Sequence, residues 1–358
     1  MARYQARSVP TTVLNAAITL SVLAVVAAPA VSASAESGGD QPEFSWELLD
    51  SGTDAFLNSL DAVSPDVAWA ASLDGVVLRT VDGGATFTDV SPPDSAEVDF
   101  LDVDASSADD ALLVSVGPAG AGIYRTADGG ESWDVPFVSP ETFLTSMAMF
   151  DRRHGFVVSD PIDGKFQIMV TNDAGRSWEL TDPAAMPDAL DGEFSFAFTG
   201  NAAAATGSKA FFGTAFARVF RSTDRGQTWE VSSTADECCI AGLDFRTNRL
   251  GLAVGENVSR TTDGGATWTL VDEDDAPVGF SGDVAWWSDL RGDERSAITD
   301  AQRTVFANAD DGSVVSRDRG KTWEQFSDQL FYGIECAEDS EACWGAGELG
   351  AVARLVVS

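Results

Sequence analysis

The chain has 358 residues, of which 57 are Asp or Glu and 22 are Lys or Arg, giving a formal net charge of −35. This excess of negative charge repels phosphate backbones and anionic lipids, so nucleic acids and acidic membranes are excluded as expected partners. The acidic loop at 272–275 is expected to be solvated, with calcium binding as the alternative. Because no EF-hand spacing occurs, we predict no metal site, and we expect no cofactor.

Residues 1–35 have the pattern of a secretory signal peptide. Basic residues precede an apolar run, Val13–Ala28, and a small-residue cleavage site follows within 31–35. A transmembrane anchor is the competing interpretation, but the run is short and lacks a basic flank on its far side. No later stretch is long and apolar enough to span a bilayer. The sequence therefore predicts export, to the periplasm or the cell exterior, with residues 36–43 as a flexible polar leader.

One short phrase occurs six times in the remaining chain. An Asp is followed two residues later by Gly, then by Ser or Thr, then by Trp or Phe. The intervals between successive aspartates are 46, 45, 51, 39 and 55 residues, which suits one four-stranded propeller blade per repeat. The six aspartates are Asp82, Asp128, Asp173, Asp224, Asp263 and Asp318.

The chemistry of the phrase predicts a tight turn between two strands. An Asp carboxylate can accept hydrogen bonds from backbone N–H groups just downstream, and Gly can adopt a positive φ without steric cost. The aromatic residue then packs its apolar area into the core. A catalytic or ligand-binding role for each Asp is the alternative, but six identical copies suit a scaffold better than one active site.

The phrase resembles the Asp-box, also called the bacterial neuraminidase repeat, S/T-x-D-x-G-x-T-W/F. Families that carry it are β-propellers: sialidases, other glycoside hydrolases, sortilin-type receptors and the photosystem II stability/assembly factor group. The resemblance implies that each box is structural and lies on an outer turn, away from the central channel.

The termini predict a seventh blade that lacks a box. Strand-like segments follow the last box within 331–336 and 342–355. Near the other end, Ser45–Leu49 resembles the strand that follows a box, as in Ser177–Leu180. We therefore predict an all-β fold over residues 44–358: a seven-bladed propeller of four-stranded antiparallel blades, closed by the N-terminal strand in the last blade. No change of composition divides this body, so we expect one domain and a monomer.

The four cysteines predict disulfides rather than a zinc site, because an exported chain is oxidised and the spacing lacks a zinc pattern. Cys336 and Cys343 flank a short acidic turn and can join the last hairpin. Cys238 and Cys239 are adjacent, and either a vicinal bridge or a pairing elsewhere is open. Redox catalysis by this pair is a further alternative.

The stretch GFVVSDPIDGKF, residues 155–166, departs most from the repeat. It resembles exported bacterial propellers near the photosystem assembly factor group that are often labelled oxidoreductases. Residues of this stretch and of neighbouring blades are expected to line the channel mouth. Asp160, Asp163 and Glu193 are the candidate catalytic residues there, and Lys165, Arg218 and Glu256 are the candidate binding residues. The structural alternative is a Pro-fixed turn at Asp160 and hairpin chemistry at Asp163.

Three function classes follow, in order of preference. The first is a binding or assembly scaffold for a protein or glycan partner. The second is a glycoside hydrolase that uses two channel carboxylates, although the motifs of a sialidase are missing. The third is an oxidoreductase, for which no dinucleotide or haem motif occurs. Photosystem assembly factors use an arginine-rich face, which this chain lacks, so that partner is not carried over.

Overall fold

The computed structural model describes residues 41–196, 201–236, 238–272, 274–276, 282–287, 303–337 and 340–358. The expected signal peptide, residues 1–35, lies outside these ranges, as do the first five leader residues and residues 288–302. At the end of the leader, Glu43 exchanges two backbone hydrogen bonds of 3.1 Å with Ser358. The contacts of Pro42–Ser358 form one compact unit.

The described chain forms seven four-stranded antiparallel sheets, which confirms the predicted propeller. The first strand, β1, covers Phe44–Leu49. Blade 1 contains β2 (Leu57–Ala62), β3 (Ala68–Ser72), β4 (Val77–Thr80) and β5 (Thr88–Asp89). Blade 2 contains β6 (Asp99–Ala105), β7 (Ala111–Gly117), β8 (Gly120–Thr126) and β9 (Asp134–Ser139). Blade 3 contains β10 (Leu144–Met149), β11 (Gly155–Ile162), β12 (Lys165–Thr171) and β13 (Glu179–Leu180).

The remaining blades repeat this order. Blade 4 contains β14 (Ala203–Thr206), β15 (Lys209–Gly213), β16 (Arg218–Ser222) and β17 (Glu230–Ser233). Blade 5 contains β18 (Ile240–Phe245), β19 (Gly251–Gly255), β20 (Val258–Thr261) and β21 (Thr269–Leu270). Blade 6 contains β22 (Val284–Trp286), β23 (Val305–Ala309), β24 (Gly312–Ser316) and β25 (Glu324–Ser327). Blade 7 contains β26 (Gly333–Cys336), β27 (Cys343–Ala346) and β28 (Val352–Val357).

Blade 7 is completed by the N-terminal strand, as the sequence predicts. β1 pairs antiparallel with β28, in a register that places Phe44 opposite Val357 and Leu49 opposite Val352. The first strand of each blade contacts the first strand of the next, and β26 contacts β2, so these strands surround the central channel. The pairing with β1 covers the outer edge of β28 and holds both ends of the propeller in one blade.

The hydrophobic core is divided among the spaces between blades. Seven clusters of buried apolar side chains occur in the described residues, and each joins two neighbouring blades. Between blades 3 and 4, for example, Phe156, Phe166, Phe212 and Phe220 pack with Trp229. Each sheet therefore buries both faces, which explains the nearly continuous apolar runs of its central strands.

The six Asp-boxes form one conserved geometry on the turns between third and fourth strands. The hydroxyl two residues before each Asp donates to its Oδ1 at 2.7–3.0 Å. The backbone N–H four residues after the Asp donates to the same oxygen at 2.9–3.0 Å. The hydroxyl of that later residue donates to Oδ2 at 2.5–2.9 Å. In the fifth box the Thr267 hydroxyl and the other donors lower the pKa of Asp263 to about 2.

Each box also touches the preceding blade, which explains its glycine. Gly175 has φ +72°, and a Cβ there would lie 2.5 Å from Leu112 of blade 2. Gly130 of blade 2 stands in the same relation to Val90 of blade 1. The aromatic residue of the box is buried or half-buried in the same interface; Trp133, for example, donates its indole N–H to the Val90 carbonyl at 2.9 Å. The boxes thus contribute to the contacts between blades.

Candidate functional site

The propeller has two distinct faces. In all six boxes the backbone N–H after the aspartate donates, at 2.8–2.9 Å, to a carbonyl in the turn between the first and second strands of the same blade. These turns form one side of the ring, the Asp-box face. Because the strands are antiparallel, the turns between second and third strands and the connections between blades lie on the opposite side, the loop face.

All six candidate site residues lie on or beside the loop face. Asp160 lies near the end of β11, Asp163 lies in the turn between β11 and β12, and Lys165 begins β12. Glu193 belongs to the connection from blade 3 to blade 4. Arg218 begins β16. Glu256 is exposed in the turn between β19 and β20, and no described contact joins it to the other five.

The connection from blade 3 to blade 4 folds back over the turn between β11 and β12. Lys165 Nζ is 2.7 Å from Asp188 Oδ1 and donates to the carbonyl of Met186 at 2.6 Å. The N–H of Ala189 donates to the carbonyl of Gly164 at 2.9 Å. Lys165, predicted to bind a ligand, therefore holds this connection against its own blade.

Glu193 and Arg218 form a buried ion pair. The Glu193 side chain has no exposed surface, and its Oε2 accepts from Arg218 Nη1 at 2.5 Å. Oε1 accepts from Thr214 Oγ1 at 2.6 Å, and Oε2 also accepts from the N–H of Leu190 at 2.8 Å. The guanidinium lies 4.9 Å from the centre of the Phe220 ring. Both carboxylate oxygens accept hydrogen bonds from the protein. Glu193 therefore holds the connection between blades 3 and 4 in place and is not positioned to accept a proton from a substrate.

Asp160 and Asp163 differ in their surroundings. Asp163 and Gly164 have φ values of +52° and +76° and form the exposed hairpin turn that their types favour. Asp160 is half-buried, and its Oδ1 accepts the N–H of Ser195 at 3.0 Å. Burial raises the pKa of Asp160 to about 6. The second oxygen, Oδ2, accepts no hydrogen bond from the part of the chain that the structure describes.

Exposed apolar side chains also lie on the loop face near Asp160. We call the following five residues the apolar patch, with their exposed fractions: Phe143 (44%), Ile162 (38%), Leu190 (51%), Phe194 (44%) and Phe216 (42%). Among the described residues, the three phenylalanines of the patch are the only exposed aromatic side chains. All three lie on the loop face of blades 3 and 4.

The central channel is lined by carboxylates that the sequence analysis did not single out. The cavity along it has a volume of about 870 Å³. Four inner-strand aspartates accept a backbone N–H from the next blade: Asp61 from Ala105 at 2.5 Å, Asp102 from Met147 at 2.7 Å, Asp104 from Met149 at 3.1 Å and Asp244 from Trp286 at 2.9 Å. Asp283, just before β22, accepts from Ile334 at 2.7 Å. These aspartates therefore join neighbouring blades.

Burial dominates the electrostatics of this channel. It raises the pKa of Asp102 and Asp283 well above the usual range. Burial also raises the pKa of Glu335, and the nearby carboxylates of Asp61 and other channel aspartates raise it further. A repeated Leu-Asp pair, at Asp61, Asp102 and Asp244, was the sequence signal that could have located this ring. In the described ranges, no group of three or more His, Cys, Asp or Glu is arranged to hold a metal ion.

Both pairs of cysteines are joined. Cys336 and Cys343 face each other across β26 and β27 and form one disulfide. Cys238 and Cys239 form a vicinal disulfide in the connection from blade 4 to blade 5. Within the described residues, no helix has the length and apolar character needed to cross a membrane.

Comparison with known proteins agrees with this architecture. The BNR/Asp-box repeat model matches residues 220–231, the fourth box. A search of curated proteins finds no match. The structure "YCF48 bound to D1 peptide" is similar with a TM-score of 0.59 and 17% identity, covering 87% of this chain and 95% of that one. "YCF48 from Cyanidioschyzon merolae" has a TM-score of 0.59 and 19% identity, covering 86% and 98%.

The fold is also shared with propellers of other repeat types. The structure "Crystal structure of RRP9 WD40 repeats" has a TM-score of 0.64 at 10% identity, covering 87% of this chain and 97% of that one. At identities this low, the similarity shows the fold alone. The geometry of the six boxes is what marks this chain as a propeller of the Asp-box type. The chain is an Asp-box β-propeller of seven blades, with the fold of YCF48.

Proposed function

We propose that this protein is a non-enzymatic scaffold that binds a partner protein on the loop face of blades 3 and 4. The observation that carries the proposal is the apolar patch, which gathers the exposed phenylalanines of the described chain on one face. Exposed apolar surface of this kind marks interaction sites, and aromatic side chains dominate binding energies at protein interfaces.

The similarity to YCF48 is consistent with this proposal. One of the two YCF48 structures is of a complex with a D1 peptide, so a propeller of this fold can present a face to a protein segment. We infer binding of a protein segment for this chain from its own surface, and we do not transfer the D1 peptide as its partner.

A hydrolytic function gains less support from the candidate residues. Glu193 accepts hydrogen bonds from Arg218 and Thr214, and four of the channel aspartates accept hydrogen bonds from backbone N–H groups of β6, β10 and β22. Two carboxyl groups free to act on either side of a glycosidic bond are required for that chemistry.

We also propose export, because residues 1–35 have the pattern of a signal peptide and both cysteine pairs form disulfides. N-terminal sequencing of protein from the culture medium or periplasm tests the cleavage; an intact first residue would contradict it.

Binding can be tested with a phage-displayed library of random twelve-residue peptides, selected against the full chain purified with its disulfides intact. The patch variant is Phe194→Ser with Phe216→Ser. The matched control is Val138→Ser with Leu180→Ser, which removes apolar side chains of similar exposure, 51% and 57%, from outer strands. Both variants should fold as the wild type, because all four side chains are exposed.

We expect enriched peptides that bind the wild type and the control equally but lose at least about tenfold in affinity for the patch variant. Fluorescence anisotropy of the labelled peptides measures this loss. Equal binding to the patch variant, or no enriched peptide at all, would overturn the proposal. Glycan arrays and chromogenic glycosides form a parallel arm, in which turnover abolished by Asp160→Asn would favour an enzyme instead.

A further inference from the structure

Backbone hydrogen bonds link the segments of the apolar patch to one another and to Asp160. The N–H of Asp160 donates to the carbonyl of Phe143 at 2.9 Å, and its Oδ1 accepts the N–H of Ser195, which follows Phe194. The N–H of Ala215, which precedes Phe216, donates to the carbonyl of Phe194 at 3.0 Å. Asp160 is therefore bonded to the segments that carry Phe143 and Phe194, and the segment of Phe216 is bonded to that of Phe194.

The charge around the patch is negative and locally uncompensated. The two cations near it are already paired: Lys165 with Asp188, and Arg218 with the buried Glu193. Glu141, Asp163 and Asp191 are exposed close to the patch in sequence, and none of them forms an ion pair within the described residues. Asp160 Oδ2 is open to a donor from outside the chain.

We infer that the apolar patch receives an extended segment of the partner protein in which a lysine or arginine lies between apolar side chains. The cation of that segment donates to Asp160 Oδ2, and the apolar side chains cover the exposed rings of Phe143, Phe194 and Phe216. This inference rests on the proposed function and adds the chemistry of the segment.

The observations favour this occupant over a second copy of the chain. A second copy would carry the same patch and the same acidic surroundings, in a chain whose net charge is −35. Like charges brought together at an interface oppose association, whereas a basic segment gains electrostatic complementarity and faster association. An acidic or purely apolar segment would leave Asp160 covered without a counter-charge, which is costly.

The test repeats the peptide selection with counter-selection against the Phe194→Ser, Phe216→Ser variant. Counter-selection removes peptides that are attracted only by the overall negative charge, because the variant keeps that charge. Peptides that survive should contain more Lys and Arg than the unselected library, at one position flanked by apolar residues. Synthetic versions of the enriched peptides, with the basic residue retained or replaced by Gln, are then measured against the wild type and Asp160→Asn.

We expect Asp160→Asn to weaken the basic peptide about tenfold and to leave the Gln peptide unchanged, so that the two changes are not additive. Asp134→Asn, which removes one exposed charge from β9, should change the affinity for neither peptide by more than about twofold. Patch-dependent peptides without basic enrichment, or additive effects of the two changes, would overturn this inference and leave the proposed function standing. A complete lack of patch-dependent peptides would overturn both.

Discussion

The half-buried carboxyl of Asp160 leads to a prediction about stability as well as binding. Asp160→Asn keeps an oxygen that can accept the Ser195 N–H but removes the charge. Because burial raises the pKa of Asp160 from 3.8 to about 6, the folded state holds the proton more tightly than the unfolded state. The contribution of this group to the free energy of unfolding is therefore fully present below pH 3.8, and it is lost as the pH rises through about 6.

The size of the effect follows from that shift. A difference of roughly two pKa units corresponds to at most about 3 kcal/mol, at about 1.4 kcal/mol per unit. Partial exposure of the group and relaxation around it reduce this, so we expect a gain of about 1–2 kcal/mol for Asp160→Asn at pH 8 and almost none at pH 3.5. For a domain of this size, each kcal/mol raises Tm by about 1–2 °C.

The assay is differential scanning calorimetry of wild type, Asp160→Asn and Asp163→Asn between pH 3.5 and pH 8. Asp163→Asn is the matched control, because Asp163 is exposed in a left-handed turn conformation that asparagine also adopts. Comparing each variant with the wild type at the same pH removes the titration of all other groups. An equal change of Tm at every pH, or a loss of stability at pH 8, would refute the reasoning from burial of the charge.

Two further predictions concern packing and buried charge, and both are measured by urea unfolding. Gly175→Ala should lower the free energy of unfolding by about 2–4 kcal/mol, because the new Cβ would lie 2.5 Å from a leucine of blade 2. The control Gly164→Ala has a similar φ but nothing within 4 Å of the new Cβ, so it should cost only about 1–2 kcal/mol for the backbone conformation. Equal losses would show that the glycine is not required by the contact between blades. Arg218→Gln should lower the free energy of unfolding by about 3–5 kcal/mol, because it leaves Glu193 buried without its cation. The control Arg221→Gln removes an ion pair whose acid is 71% exposed, and it should cost less than about 1 kcal/mol. A small loss for Arg218→Gln would contradict the buried ion pair.

The fold was predictable because its signal is local. Each Asp-box carries its turn within nine residues, and the same hydrogen bonds recur in all six copies, so spacing alone indicated the blades. The closing strand was predictable because Ser45–Leu49 resembles a strand that follows a box.

The candidate site was predictable only in part. The stretch around Asp160 stood out because it departs from the repeat, but the role of its neighbours depends on contacts between distant segments. Glu193 and Arg218 looked like exposed functional groups, yet the chain between blades 3 and 4 buries them as a pair. Phe143, Phe194 and Phe216 gave no signal in sequence, because up to 73 residues separate them and only the propeller brings them together.

The union of β1 with β28 has a consequence for the order in which the molecule is made. Among the strands of the propeller, β1 is synthesised before all others, and its sheet partner β28 is synthesised after all others. Blades 1 to 6 can stack as they are synthesised, but the circle stays open, with β1 unpaired, until β28 has been made. We therefore expect the ring to close only after β28 has been synthesised, and a chain that lacks Val352–Val357 to be held open at the junction of blades 7 and 1.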